Sequence, residues 1–130
     1  MNVKGMQIRC KKLEFINDFR NLKFKIKPQI SFNVGKLNEH VYGVMCEVKI
    51  ESDSENDMPI RTSILVEGLF EFDDNTSDVE INEYLRKSGS ETVYAYTRSI
   101  LASMTAIAGI QSINLPIIDF NQKMENNNMS

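Results

Sequence analysis

The fold is decided by residues 60–109, IRTSILVEGLFEFDDNTSDVEINEYLRKSGSETVYAYTRSILASMTAIAG, where the spacing of apolar residues changes. Ile60, Ile64, Val66, Phe70 and Phe72 fall on one side of an alternating pattern, as in a half-buried strand. After the polar DDNTS the period becomes helical. Ser77 followed by Glu80, and Ser88 followed by Glu91, both fit the capping box, in which side chains satisfy free N–H groups at a helix start. The first predicts a short helix through Tyr84 and Leu85, the second a long helix over residues 89–108. Val93, Tyr96, Ile100, Met104 and Ile107 recur at helical spacing and mark the expected core stripe. Ala95, Ser99, Ala102, Ser103 and Ala106 leave much of the remaining surface small. A helix this short of long polar side chains is poorly suited to face water alone, so these five residues are the expected oligomer interface. Gly109 ends the helix as a C-cap would.

Upstream, period-two runs predict further strands. Met6, Ile8 and Cys10 alternate, then Leu13, Phe15 and Phe19 alternate in the opposite phase, which suggests a bulge or twist. Leu22, Phe24 and Ile26 share one face of NLKFKIK, residues 21–27. Pro28 separates that run from QISFNVG, with Ile30, Phe32 and Val34 inward. Tyr42, Val44, Cys46, Val48 and Ile50 form the next face. Short polar links between neighbours favour an antiparallel meander, because parallel neighbours need long crossovers. Four antiparallel strands followed by helices indicate an α+β fold, a four-stranded sheet with a long helix packed on it. Residues 1–120 read as a single domain and the Asn-rich 121–130 as a polar, frayed tail.

The 130 residues are 42% hydrophobic and 25% charged, the composition of one globular domain. A chain of this size buries roughly two thirds of its unfolded surface, so it needs neither disulfides nor a metal to fold. No apolar run approaches the roughly 20 residues that span a bilayer, and the start lacks a signal-peptide apolar block. A cytoplasmic protein is expected. Cys10 and Cys46 are far apart and belong to no CxxC pair; both read as small buried apolar residues. Net charge is −3, but residues 1–36 hold nine Lys/Arg against two Asp/Glu, and residues 37–130 six against sixteen. That asymmetry fits a nucleic-acid patch, two faces of one fold or subunits meeting through opposite charge. With no aromatic–basic RNA motif and no helix-turn-helix pattern, nucleic acid is not the expected partner.

The residues offer little chemistry. The single histidine, His40, has no nucleophile or metal partners at a useful spacing. The six glycines are scattered and form no phosphate loop. Asp73, Asn75 and Ser77 begin like an EF-hand, but Asp78 stands where glycine is needed and Tyr84 where a bidentate Glu is needed. The acidic ESDSEND has no framework. No cofactor or metal is expected, and the chain reads as a protein that works through its surfaces rather than as an enzyme.

Residues 93–120, VYAYTRSILASMTAIAGIQSINLPIIDF, resemble the signature of SecB, the bacterial export chaperone family. Tyr96 and Arg98 match the helix start, and Gly109, Leu115, Pro116, Asp119 and Phe120 match later positions. HVYGVMCEVKIESD, VEGLFEF and KPQISFNVG are similar to the family's strands, so the resemblance covers about residues 6–120. It implies four antiparallel strands with a crossover between the first two, a dimer-of-dimers tetramer, and ATP-independent holding of unfolded preproteins in apolar grooves during protein transport. By the same resemblance Ile30, Phe32, Val34, Ile60, Leu115 and Phe120 would line the client groove. In the segment after the helix, Leu115 and Phe120 would border it while Ile113 and Ile117 anchor the chain beneath. Two departures stand out. The positions by which SecB engages the motor SecA fall on Asn21, Lys25, Arg61 and Ser63, none acidic, so coupling to SecA is not implied. The family's final helix has almost no counterpart in residues 121–130. A second reading follows: a dedicated partner-binding protein, such as a toxin–antitoxin-associated chaperone or a mobile-element interaction protein.

Overall fold

The computed structural model describes residues 3–18, 27–51 and 60–121. Strands β1 (Val3–Asn17), β2 (Gln29–Lys36), β3 (Val41–Ile50) and β4 (Ile60–Phe72) form one antiparallel sheet in the order β1-β4-β3-β2. The meander therefore holds from β2 to β4. The first strand does not pair with the second; it lies across the sheet beside β4, as the crossover required. The alternating run Leu22, Phe24 and Ile26, like Phe19, falls outside the described residues, as do Asn21, Lys25 and residues 122–130 of the tail.

The phase change in the first strand is a bulge. Its register against β4 shifts between Cys10 and Lys12, so Cys10 faces Val66 and Leu13 faces Ile64 on the same side of the sheet. One extra residue is absorbed and both apolar phases face the helix-bearing side of the sheet. On the opposite face Glu67 is buried, and the Arg9 guanidinium donates to its carboxylate at 2.7 and 3.0 Å. The Lys11 ammonium lies 3.9 Å away. These contacts give the buried carboxylate its partners and tie β1 to β4.

The helical part is continuous, and this corrects the expected second helix start. Helix α1 (Asp78–Tyr84) opens at Ser77, whose hydroxyl accepts from the Glu80 N–H at 3.2 Å. A wide π-turn (Leu85–Gly89) then leads into α2 (Ser90–Ile107) with no break. The residues around Gly89 keep right-handed helical dihedrals, and neither Ser88 nor Gly89 caps a new helix. The Ser88 carbonyl accepts from the Thr92 hydroxyl, while the Ser90 hydroxyl donates to the Leu85 carbonyl.

Ile81, Leu85, Gly89, Val93, Thr97, Leu101 and Thr105, every fourth residue, are all buried. At 3.6 residues per turn, such a repeat drifts round an α-helix by about 40° each step. The wide turn uses extra residues per revolution and brings the stripe back towards the sheet.

This stripe also corrects the expected core face of α2. Val93 is buried as expected, but Tyr96 is exposed and Ile107 is 77% exposed. The sheet is met instead by Tyr94, Thr97, Leu101 and Thr105. The threonines tolerate burial because their hydroxyls donate back along the helix, Thr97 to the Val93 carbonyl and Thr105 to the Ala102 carbonyl. Cys46 lies beneath, hydrogen-bonded to Thr97, and burial pushes its thiol up to about 11. Cys10, expected buried, is exposed, because α2 covers β3 and β4 and scarcely reaches β1. Met6 and Leu13 are left exposed for the same reason.

Helix and sheet meet closely at Gly68. A Cβ there would lie 2.5 Å from the Val93 side chain and 2.9 Å from the Phe70 ring, and the Phe70 ring also reaches Gly89. Gly68→Ala is expected to destabilise the protein by about 1–3 kcal/mol, the usual effect of overpacking. Urea unfolding of the variant against the parent measures it.

Candidate functional site

After α2 the chain turns at Gly109, whose φ of 73° is left-handed and suits glycine. Residues 111–119 then run without regular structure back over the helix-bearing face of the sheet. Ile113, Leu115 and Phe120 are buried, and Ile110 and Ile118 pack against the same core. Three rings fasten the end of this segment. Phe32 from β2, Tyr94 from α2 and Phe120 meet edge to face, with centroids 5.3–5.9 Å apart. The Tyr94 hydroxyl donates to the Pro116 carbonyl, and the Arg98 guanidinium lies over the Tyr94 ring, 5.9 Å from its centre. Burial pushes the Tyr94 hydroxyl above its ordinary range, with Arg98 acting in the opposite sense. It therefore remains a neutral donor near neutrality.

Between this segment and the first turns of α2 lies a cleft of about 360 Å³. Tyr94, Ala95, Ile117, Ile118 and Phe120 give it apolar walls, and Glu91, Arg98 and Asp119 stand among them. Ile117 is 89% exposed and stands at its edge. Ile117 is thus the reverse of the anchor expected from the sequence. Leu115 lies inward on the core, with Pro116 between them exposed. Ile117 thus adds exposed apolar surface to the rim of a cleft lined by both apolar and charged side chains.

The six residues expected to line a client groove divide by position. Phe32 and Phe120 belong to the aromatic cluster beneath the cleft. Ile30 and Val34 flank Phe32 on the same face of β2 and are half-buried. Leu115 is buried under the segment, and Ile60 lies at the start of β4, in the core of the isolated protomer. Only Phe120 among the six lines this cleft. Sequence reasoning missed Ile117, Tyr94 and Arg98 as cleft residues. Tyr94 lies off the apolar spacing of α2, and no local pattern marked it, Arg98 or Ile117 as neighbours of one cleft.

The five small residues of α2 lie away from the sheet: Ala95, Ser99, Ser103 and Ala106 are exposed and Ala102 is half-buried. Tyr96 and Ile107 share that exposed surface. Acid–base chemistry finds no focus. His40 lies just before β3 with its Nε2 3.2 Å from an Asp74 carboxylate, both well exposed. Among the described residues no group of three His, Cys, Asp or Glu is placed to hold a metal, and no helix is long and apolar enough to cross a membrane.

Comparison with known proteins agrees with this geometry. The family model for SecB, the preprotein translocase subunit, matches residues 3–129. Among solved structures, the SecB-like chaperone Rv1957 of Mycobacterium tuberculosis, in complex with a ChAD peptide from the Rv1956 HigA1 antitoxin, superposes with a TM-score of 0.68. The match covers 88% of each chain at 15% identity, and it shows a shared fold. A protein of unknown function from Streptococcus agalactiae matches at a TM-score of 0.41 and 13% identity, over 87% of this chain and 99% of its own. No curated protein matches the sequence.

The aromatic fastening makes a local prediction. Tyr94→Phe keeps the ring packing and removes the bond to Pro116, a loss of about 1 kcal/mol. Amide exchange within residues 113–120 is expected to quicken severalfold, with the exchange of β3 and β4 unchanged, as read by hydrogen-exchange mass spectrometry.

Proposed function

The chain belongs to the SecB family, and from that premise we propose that it is a holding chaperone, one that keeps extended or unfolded polypeptide from aggregating without using nucleotide. Family membership supports a chaperone role. The observation that carries the mechanism is the cleft beside Ile117, where apolar surface stands exposed on a segment whose neighbours are anchored in the core. Such a surface binds apolar side chains with little demand on sequence. Phe32, Ile30 and Val34 would extend it along β2, and Leu115 and Ile60 would support it from beneath. Client and protein would meet in the cytoplasm. Residues 1–120 would act as one unit, with 121–130 as an appendage.

The exposed face of α2 would be covered by a second copy. Ala95, Ser99, Ala102, Ser103 and Ala106 would let two helices approach closely, and Met6 and Leu13 add exposed apolar surface on β1. A tetramer built as a dimer of dimers is the assembly this reading favours.

A second reading, a dedicated partner rather than a range of preproteins, is favoured by one feature. Arg61 and Ser63 lie on the sheet face opposite the helix, where engagement of SecA would call for acidic residues. Arg61 is exposed there and Ser63 is buried. The antitoxin peptide bound by the M. tuberculosis relative is a partner of this type.

The test is an aggregation assay with a chemically unfolded client. Equimolar protein is expected to suppress light scattering without nucleotide, and Ile117→Asp to weaken client binding about tenfold with unfolding stability intact. Equal aggregation with and without the protein at several ratios would refute the holding role. Capture of a single dominant partner from the source cell, with general clients ignored, would favour the second reading. Light scattering at micromolar protein should show a dimer or larger, and a monomer would remove the α2 interface.

A further inference from the structure

The cleft beside Ile117 is lined by four charged side chains, and they are not equivalent. The Lys87 ammonium lies 3.4 Å from the Glu83 carboxylate, one turn back along the helical run. The Asp119 carboxylate accepts from the Asn121 N–H at 3.0 Å. Glu91 and Arg98 differ from both. They are exposed on α2, and among the described residues neither has a counter-charge at ion-pair distance. The Arg98 guanidinium rests over the Tyr94 ring instead. That ring is itself held by Phe32, by Phe120 and by the Pro116 carbonyl.

Glu91 and Arg98 stand two turns apart on α2, so they share one side of the helix at about 10 Å along its axis. Ile117 and Ile118 lie across the cleft from them. In an extended chain residues i and i+4 point the same way, about 13 Å apart, a difference that the long Glu and Arg side chains absorb. A segment laid along the cleft would bring two of its side chains over these charges and the one midway against Ile117. A wholly apolar segment would strip water from both ions and give nothing in return. A carboxylate meeting Arg98 and a cation meeting Glu91 would satisfy them. Exposed ion pairs are usually weak because two long side chains must be held still. Arg98 is already steadied on the Tyr94 ring, and its planar fork grips a carboxylate at two points.

We propose that the cleft beside Ile117 takes an extended segment of non-native polypeptide in which an apolar side chain stands between a carboxylate and a cation, each two residues away, with the carboxylate on Arg98 and the cation on Glu91. This rests on the holding role and adds a charge requirement to the apolar one. A segment of uniform charge meets one like charge whichever way it lies, and a neutral one leaves two ions covered without partners. The two unpaired charges thus act as selectors, and the apolar walls between them supply contact area.

The test uses the full chain and four synthetic peptides of roughly ten residues. They are identical except at the two positions that flank a central Ile two residues away on either side: Glu and Lys, Gln and Gln, Glu and Glu, or Lys and Lys. Binding is read by fluorescence anisotropy at low ionic strength. The mixed peptide should bind about fivefold more tightly than the neutral one. It should lose that advantage in 1 M salt, where charges are screened beyond about 3 Å. Arg98→Gln should bring the mixed peptide close to the neutral one at unchanged melting temperature. Arg98→Glu should make the Lys–Lys peptide the tightest ligand, an inversion that a merely structural effect would not produce. Equal binding of the mixed and neutral peptides, an advantage indifferent to salt, or the same ranking in the parent and Arg98→Glu would overturn the charge requirement while the holding role stands. Tightest binding of either uniformly charged peptide by the parent would overturn the paired arrangement. If an unfolded client is held but none of the four peptides is, the proposal falls and the holding role stands. Failure to hold any peptide or an unfolded client would remove both.

Discussion

The structure depends on how closely α2 can lie on β4. Gly68 removes the side chain that would hold the helix off, and Val93 and the Phe70 ring occupy the space it frees. Thr97 then reaches Cys46, Leu101 enters the core, and Tyr94 is brought over Phe32. A helix lifted by the width of a methyl group would loosen each of these contacts, because protein interiors are packed with little slack. The aromatic cluster, and so the path of residues 111–121, is set by a glycine in a strand on the far side of the helix.

The strands were legible because their alternation is strong and one face is buried. Even the irregularity of β1 was visible as a change of phase between Cys10 and Leu13. The helix was legible in extent but not in orientation. Tyr96, Ile100 and Ile107 are more apolar than Thr97 and Thr105, so hydrophobic spacing selected the wrong stripe. A hydroxyl that can bond back to its own helix passes as buried surface, and no hydropathy scale registers that. The start at Ser88 misled for a related reason: Ser-x-x-Glu satisfies a free N–H only where the helix truly begins, and here it sits inside one. The candidate site was half visible. The segment after Gly109 stood out by composition, but which of its isoleucines face water depends on the Tyr94–Pro116 bond and the ring of Phe120, which local spacing does not encode.

Charge is distributed with the same economy of position. The basic excess of residues 1–36 does not form a free patch where Arg9 and Lys11 converge on the buried Glu67. They hold an outer strand in register and, with Lys4 and Lys12, leave its edge unwelcoming to other chains. Apolar exposure occurs at Ile117 beside the cleft, along the helix side that carries Ala95, Ser99 and Ala106, and on β1 itself at Met6, Leu13 and Ile16. Under the proposed reading, client contact and self-association would draw on different residues.

The wide turn at Leu85–Gly89 has a bearing on how relatives of this chain can vary. One residue added to a helix rotates everything beyond it by about 100°. Ile81 before the turn and Leu101 after it both face the sheet only because the turn contains the number of residues it does. The turn is therefore a counting element. A one-residue deletion or insertion in this stretch would turn the rest of the helix away from the sheet rather than make an idle difference in a loop.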